Sequence, residues 1–261
     1  MQSDPVRQSN TSFSQALTRR PCRNLVDGIT KANLGKPNYQ KALEQHQTYI
    51  EALKSCGLTV TVLDPDEQFP DSVFVEDPAL VFPEFAVITN PGAKSRQGET
   101  AGMHDALTRF FPNEAIERIS APGTLEGGDV MTVGRHCFIG LSGRTNREGA
   151  YQLIQTVQKY GMSGSVIQVK DILHLKTGLT YLDNNHLVVT GPFAGHPEFE
   201  SFDKIEVEKA NCLWINGRVL VIEGIPETKE KIEALGYPVT EVPFSEYLKL
   251  DGGLGCLSLR W

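Results

Sequence analysis

The feature that most constrains this chain is a repetition. Four times it presents two short apolar runs with a turn between them: residues 73–82 with 86–90, 129–133 with 136–141, 179–182 with 186–190, and 212–215 with 219–222. Runs of this length broken by turn residues read as β-hairpins. Between them lie stretches with helical spacing. Ala42, His46, Tyr49, Ile50 and Leu53 form one stripe, and Met103, Ala106, Leu107 and Phe110 form a second that stops at Pro112. A third opens on Thr145-Asn-Arg-Glu148, the form of a capping box, and a fourth runs from Pro226 to Gly236, with proline at its start and glycine past its end. After each helix comes one more apolar run, at 58–63, 115–119, 165–169 and 239–242.

The order is therefore hairpin, helix, strand. Counted around the chain it gives four units and a fifth, which a strand at residues 14–19 completes with the last segment of the chain. Units that each leave an open sheet edge gain by closing into a ring, since closure removes unpaired backbone groups. The expectation is a single α/β domain over residues 13–261, a closed propeller of five ββαβ blades with a central site, preceded by a loose tail over residues 1–12. An open α/β sheet is the alternative that periodicity alone leaves standing.

A formal net charge of −7 argues against nucleic acid or an anionic membrane as partner, because both need basic patches, and favours a small cationic ligand. The five cysteines (22, 56, 137, 212 and 256) are odd in number and include no Cys-x-x-Cys, so neither a disulfide framework nor a zinc ribbon is expected, and a reducing cytoplasm is. The polar start of the chain does not resemble a secretory signal, and no stretch approaches a membrane span.

Four segments carry chemistry. In Pro70-Asp-Ser-Val-Phe-Val-Glu-Asp77, acids bracket an apolar run. Read as a strand end, it points Glu76 and Asp77 to opposite faces, so that one of them meets a given pocket. Leu125-Glu-Gly-Gly-Asp129 sets two glycines between carboxylates, allowing a sharp turn or a close backbone approach. His174 stands in an apolar run, where a lone histidine is more often a satisfied core residue than a catalytic one. Asp251-Gly-Gly-Leu-Gly-Cys256 is a glycine-rich turn that ends on a thiol, which it is expected to leave accessible and with a lowered pKa. The other four cysteines lie in strand or helix patterns and read as structural.

Taken together, these segments resemble the dimethylarginine dimethylaminohydrolases of bacterial type, members of the guanidino-modifying (pentein) superfamily. The resemblance runs from about residue 13 to the C-terminus. It rests on Leu25-Val-Asp-Gly28, residues 69–77 with Pro78, Pro91-Gly-Ala with Ser95-Arg96, Glu126-Gly-Gly-Asp129, Arg144-Thr-Asn146, His174-Leu-Lys-Thr177, and residues 251–256 followed by Ser258-Leu-Arg260. It implies a five-bladed pentein propeller and a cofactor-free hydrolase that turns Nω-methylated arginine into citrulline and an alkylamine through an S-alkylthiouronium. It assigns Cys256 as nucleophile, His174 as acid and base, and Glu126 as the carboxylate completing the catalytic group. It places Asp71, Glu76 and Asp77 on the substrate's guanidinium or amine, Arg96 and Arg144 on its α-carboxylate, Ile29 on a lid and the Leu250 carbonyl at the α-amino group. Two positions depart from the family: Gly255 stands where relatives often carry Ser or Thr, and Gln97 where some carry a second arginine. The rival functions are an arginine deiminase-like enzyme and a non-catalytic binder of cationic amino acids. A zinc site from Cys256, His174 and carboxylates has little support from spacing. A homodimer is compatible with an exposed blade edge.

Overall fold

A computed structural model describes residues 12–261; the tail expected over residues 1–12 lies outside the described residues except for Ser12. The repeats become five three-stranded sheets. The first is made from both chain ends. There β1 (Gln15–Arg19) pairs in parallel with β2 (Thr59–Leu63) and antiparallel with the C-terminal β15 (Leu259–Arg260), as the sequence led one to expect.

The other four follow in order. They are β3 (Ala79–Val81), β4 (Ala86–Ile88) and β5 (Ile116–Arg118); β6 (Val130–Val133), β7 (His136–Leu141) and β8 (Ser163–Gln168); β9 (Leu179–Tyr181), β10 (His186–Val189) and β11 (Asp203–Glu206); and β12 (Cys212–Ile215), β13 (Arg218–Ile222) and β14 (Val239–Val242). In each, an inner strand pairs antiparallel with a middle strand, and the chain crosses over to an outer strand that runs parallel to it. A parallel pair needs such a crossover, which explains why the helices fall between second and third strands. The crossovers are α1 (Tyr39–Ser55), α2 (Glu99–Leu107), α3 (Arg147–Lys159) and α6 (Pro226–Glu233). Among the described residues no helix is long and apolar enough to cross a membrane.

Three local departures from the sequence reading have physical causes. Residues 73–75 are not a strand. They lie in successive turns between Pro70 and Pro78, with Ser72 N donating to Phe69 O and Phe74 N to Asp71 O, and Val73, Phe74 and Val75 are buried there all the same. Thr145 does not cap α3, because its hydroxyl is taken by Asp129; Asn146 is the cap, its side chain accepting from Gly149 N at 2.8 Å. The β10–β11 crossover holds no long helix, only the short α5 (Gly191–Ala194) and a 3₁₀ turn at Pro197–Phe199. β11 escaped notice because Asp-Lys-Ile-Glu carries a single apolar residue.

The apolar face of α1 buries Ala42, Tyr49 and Leu53 completely, and each large side chain so covered contributes roughly 1.5–3 kcal/mol. Tyr49 also serves the site. Its buried hydroxyl donates to Leu254 O at 2.8 Å and lies 2.6 Å from Ser258 Oγ, tying the helix to the loop that bears Cys256.

Candidate active site

The inner strands β3, β6, β9, β12 and β15 surround a central channel. The loops that enter these strands, and the turns that leave β1, β4 and β7, gather at one end of it and bring together residues far apart in sequence. There Asp71, Asp77, Arg96, Glu126, Arg144, His174 and Cys256 line one small cavity beneath Ile29 and Leu250.

Cys256 lies in a 3₁₀ turn, Leu254–Leu257. The preceding glycines are needed because neighbours come close: a Cβ on Gly253 would sit 2.1 Å from the Asn211 amide, whose oxygen accepts from Leu254 N at 2.9 Å. Contrary to the sequence expectation, the turn does not acidify the thiol. Burial pushes its pKa up to about 12, and the charges of Asp77 and Glu76 add to the effect. The resting thiol is therefore protonated. Of the five cysteines, Cys256 alone is partly exposed as a residue, and the other four are buried.

His174 begins the short α4 (Leu175–Gly178), and its Nε2 lies 2.7 Å from Glu126 Oε2. Burial disfavours the charged ring, yet Asp77, the Glu126 hydrogen bond and Asp129 outweigh it and hold the pKa up at about 9. At neutral pH the ring is an imidazolium. Asp129 fixes this loop: its Oδ1 accepts from Leu175 N at 3.0 Å, and its Oδ2 from Ser142 Oγ at 2.6 Å and Thr145 Oγ1 at 2.7 Å. The glycines of Glu126-Gly-Gly-Asp129 have a steric reason, since a Cβ on Gly128 would lie 2.6 Å from His174 Nδ1. Glu126 also accepts from Arg144 Nη1 at 3.1 Å and from Ala93 N at 2.9 Å.

Asp71 and Asp77 line the cavity while Glu76 turns away into the channel, where Lys176 Nζ (2.6 Å) and Arg260 Nη2 (3.2 Å) meet it. The opposite facing expected of Glu76 and Asp77 thus arises in a turn, not at a strand end. Asp77 accepts from Arg96 Nη1 and from Gly128 N. Burial pushes the Asp71 carboxyl up, against the pull of Arg96; it accepts from Ile29 N at 3.0 Å. Beside it, Asp251 Oδ2 accepts from Lys31 N at 2.6 Å and Thr30 Oγ1 at 3.1 Å, so two carboxylates hold down the segment carrying Ile29, itself 38% exposed.

The two arginines differ. Arg96 is buried and spends its fork on Glu99, Asp77 and the carbonyls of Asp71 and Phe74, which leaves one N–H of Nη1 over. It cannot offer the bidentate clamp the sequence reading gave it. Arg144 binds Glu126 through Nη1 alone and is 20% exposed, leaving Nε and Nη2 for a ligand. Ligating atoms of Asp77, Glu126 and His174 lie within 4.8 Å of one another, a spacing that could suit a metal ion. An ion there would have to displace the contacts with Arg96, Gly128 and Arg144. Cys256 is not part of that cluster.

Residues 28–194 match the family model described as "N,N dimethylarginine dimethylhydrolase, eukaryotic". The N(G),N(G)-dimethylarginine dimethylaminohydrolase of Pseudomonas aeruginosa is 53% identical over 254 residues, covering 95% of this chain and 100% of the relative. The chain belongs to the dimethylarginine dimethylaminohydrolase family. Dimethylarginine dimethylaminohydrolase structures share its fold closely. A cysteine-to-serine mutant from Pseudomonas aeruginosa, complexed with citrulline, superposes with a TM-score of 0.94 at 52% identity, covering 96% of this chain and 100% of that one. A histidine-to-glycine variant, solved as an adduct with S-methyl-L-thiocitrulline, gives 0.93 at 53% identity, covering 95% and 100%. The fold is the five-bladed pentein propeller. Within this site, the sequence left Lys176 and Asp251 without roles and gave Gly128 only a sharp turn or a close backbone approach, without naming the ring it meets. The carboxylate that Lys176 pairs with and the ring that Gly128 abuts come from distant segments, so no local pattern announced them.

Proposed function

We propose that the chain hydrolyses Nω,Nω-dimethyl-L-arginine, and the monomethyl form, to L-citrulline and dimethylamine or methylamine, with Cys256 as nucleophile, His174 as acid then base, and Glu126 as its partner. The observation that carries this reading is the constellation in one cavity: the Cys256 thiol, the His174–Glu126 pair at 2.7 Å, and the carboxylates of Asp71 and Asp77. A thiol at about 12 needs a cation to become a nucleophile. A guanidinium about 4 Å away supplies roughly 4 kcal/mol at an effective dielectric of 20, or about 3 pKa units. The substrate therefore draws the thiol down toward about 9, and a non-cationic ligand does not. The relatives that hold citrulline and an S-methyl-L-thiocitrulline adduct support the same chemistry.

The steps follow from the geometry. Asp71 and Asp77 receive the guanidinium, whose positive charge offsets the cost of their burial. With the cation bound, the Cys256 thiol gives its proton to solvent water and the resulting thiolate attacks the guanidine carbon. His174 gives its proton to the departing amine nitrogen as the C–N bond breaks, leaving an S-alkylthiouronium. The neutral imidazole then takes a proton from water, whose oxygen bonds to the carbon as the thiolate leaves, and the oxygen's remaining proton passes to the thiolate and restores the thiol. Glu126 stabilises the imidazolium whenever it forms. Arg144 binds the α-carboxylate, with the Leu250 carbonyl at the α-amino group. The cavity is only about 30 Å³, room for about two waters, so entry requires the segment carrying Ile29 to lift from Asp71 and Asp251.

Product analysis tests the proposal. Purified protein given asymmetric dimethylarginine should release citrulline and dimethylamine in equal amounts, and Cys256→Ser should release neither. Ammonia from unmethylated arginine alone would make it a deiminase, and turnover by Cys256→Ser would remove the thiol from the mechanism.

A further inference from the structure

The site cavity has a larger neighbour. The central channel opens to about 240 Å³ and is walled by one strand from each blade: β3, β6, β9, β12 and β15. The two spaces share three lining residues, Cys256, His174 and Asp251. The reacting groups thus stand at a junction, with the lid-covered cavity on one side and the channel on the other.

We propose that this channel is the amine port: the alkylamine cut from the guanidine carbon leaves, and the hydrolytic water arrives, between the five inner strands. The inference rests on the hydrolase reading above and adds a route to it. After the first step the amino-acid half of the substrate is covalently fixed to Cys256 and fills the small cavity beneath Ile29. The amine must leave, and water must reach the same carbon, before that half is released. The channel reaches Cys256 and His174 without opening the lid. Its wall suits the traffic, mixing apolar Leu80, Met131 and Leu213 with polar Thr132, Thr177 and Asn211. The amine carries the electron pair of the broken C–N bond and the proton from His174. It departs neutral, so the cations around Glu76 do not repel it.

Those cations line the channel and not the small cavity. Arg260 is locked, donating to Gly255 O, Ser258 O and Ser258 Oγ as well as to Glu76. Lys176 is 25% exposed and its ammonium is held by Glu76 alone among the described residues, which makes it the part that can swing aside.

Two separate plugs test the port: Thr132→Trp, at an exposed position on β6, and Val81→Trp, half-buried on β3, with Thr132→Ser as control. In the port account each folded plug lowers kcat at least tenfold and lowers KM in parallel. The Cys256 adduct then dominates the steady state by intact mass, while its single-turnover rate of formation stays that of the wild type. A plug that merely disturbs the fold slows adduct formation as well. Wild-type kcat without adduct build-up in either folded plug overturns the port and leaves the hydrolase standing. A wild type forming neither adduct nor citrulline overturns the hydrolase reading itself.

Discussion

Replacing Glu126 by glutamine keeps the shape of the His174 partner and removes its charge. The ring's pKa, held up at about 9, lies well above that of an ordinary histidine, so its surroundings favour the imidazolium by roughly 3 kcal/mol net of burial. A hydrogen bond to a charged group contributes about 1.5–3 kcal/mol, so its loss lowers the pKa by roughly 1–2 units, to about 7–8. Because the folded-state pKa is raised, the acid form is complete well below it and disappears as pH climbs through it. At pH 8 about nine-tenths of the wild-type ring is protonated, against roughly a tenth to a half in Glu126→Gln. The assay is kcat/KM for dimethylarginine from pH 6 to 10. The descending limb should move down by one to two units, so that the deficit of Glu126→Gln widens with pH. A constant deficit at every pH, with the limb unmoved, would refute the assignment of Glu126 as the group that keeps His174 charged.

Gly128→Ala would drive a methyl to 2.6 Å from His174 Nδ1 and 3.1 Å from Asp77 Oδ1. Relieving that contact by moving the catalytic ring about 1 Å costs on the order of 100-fold in kcat, while circular dichroism and the melting curve should still report a folded chain. Arg144→Ala should raise KM about 10- to 100-fold through loss of a charged hydrogen bond, and a substrate analogue without the α-carboxylate should lose nothing further on this variant. Tyr49→Phe deletes a buried hydroxyl that serves Leu254 and Ser258; it should cost about 1–3 kcal/mol in denaturant unfolding and increase hydrogen exchange in the Cys256 loop before other regions.

The architecture was legible because each blade repeats the same burial problem in the same order. Even the blade shared by the two chain ends could be inferred, since a ring leaves no other partner for residues 14–19. The blade of β9, β10 and β11 was read only in part, because half-exposed β11 has no apolar alternation to betray it. The acids at 71, 76 and 77 were legible as chemistry, but their turn conformation was not: buried Val73, Phe74 and Val75 look alike in a strand or in a turn. Long-range electrostatics were the least visible. A glycine-rich turn suggests an acidic thiol until its burial, and then the charges of Asp77 and Glu76, are seen, and a second arginine suggests a clamp until Glu99, three residues along, takes its fork. Such pairings depend on tertiary proximity, which single-sequence spacing does not encode.

The central claim, a covalent bond between Cys256 and the guanidine carbon, is tested most directly by acid-quenching the protein during turnover of asymmetric dimethylarginine and mapping the trapped mass by peptide sequencing. An amidine adduct of the substrate minus dimethylamine, on Cys256 and absent from Cys256→Ser, is the predicted result. Citrulline production with Cys256 unmodified at every quench time, or an adduct on another residue, would contradict it.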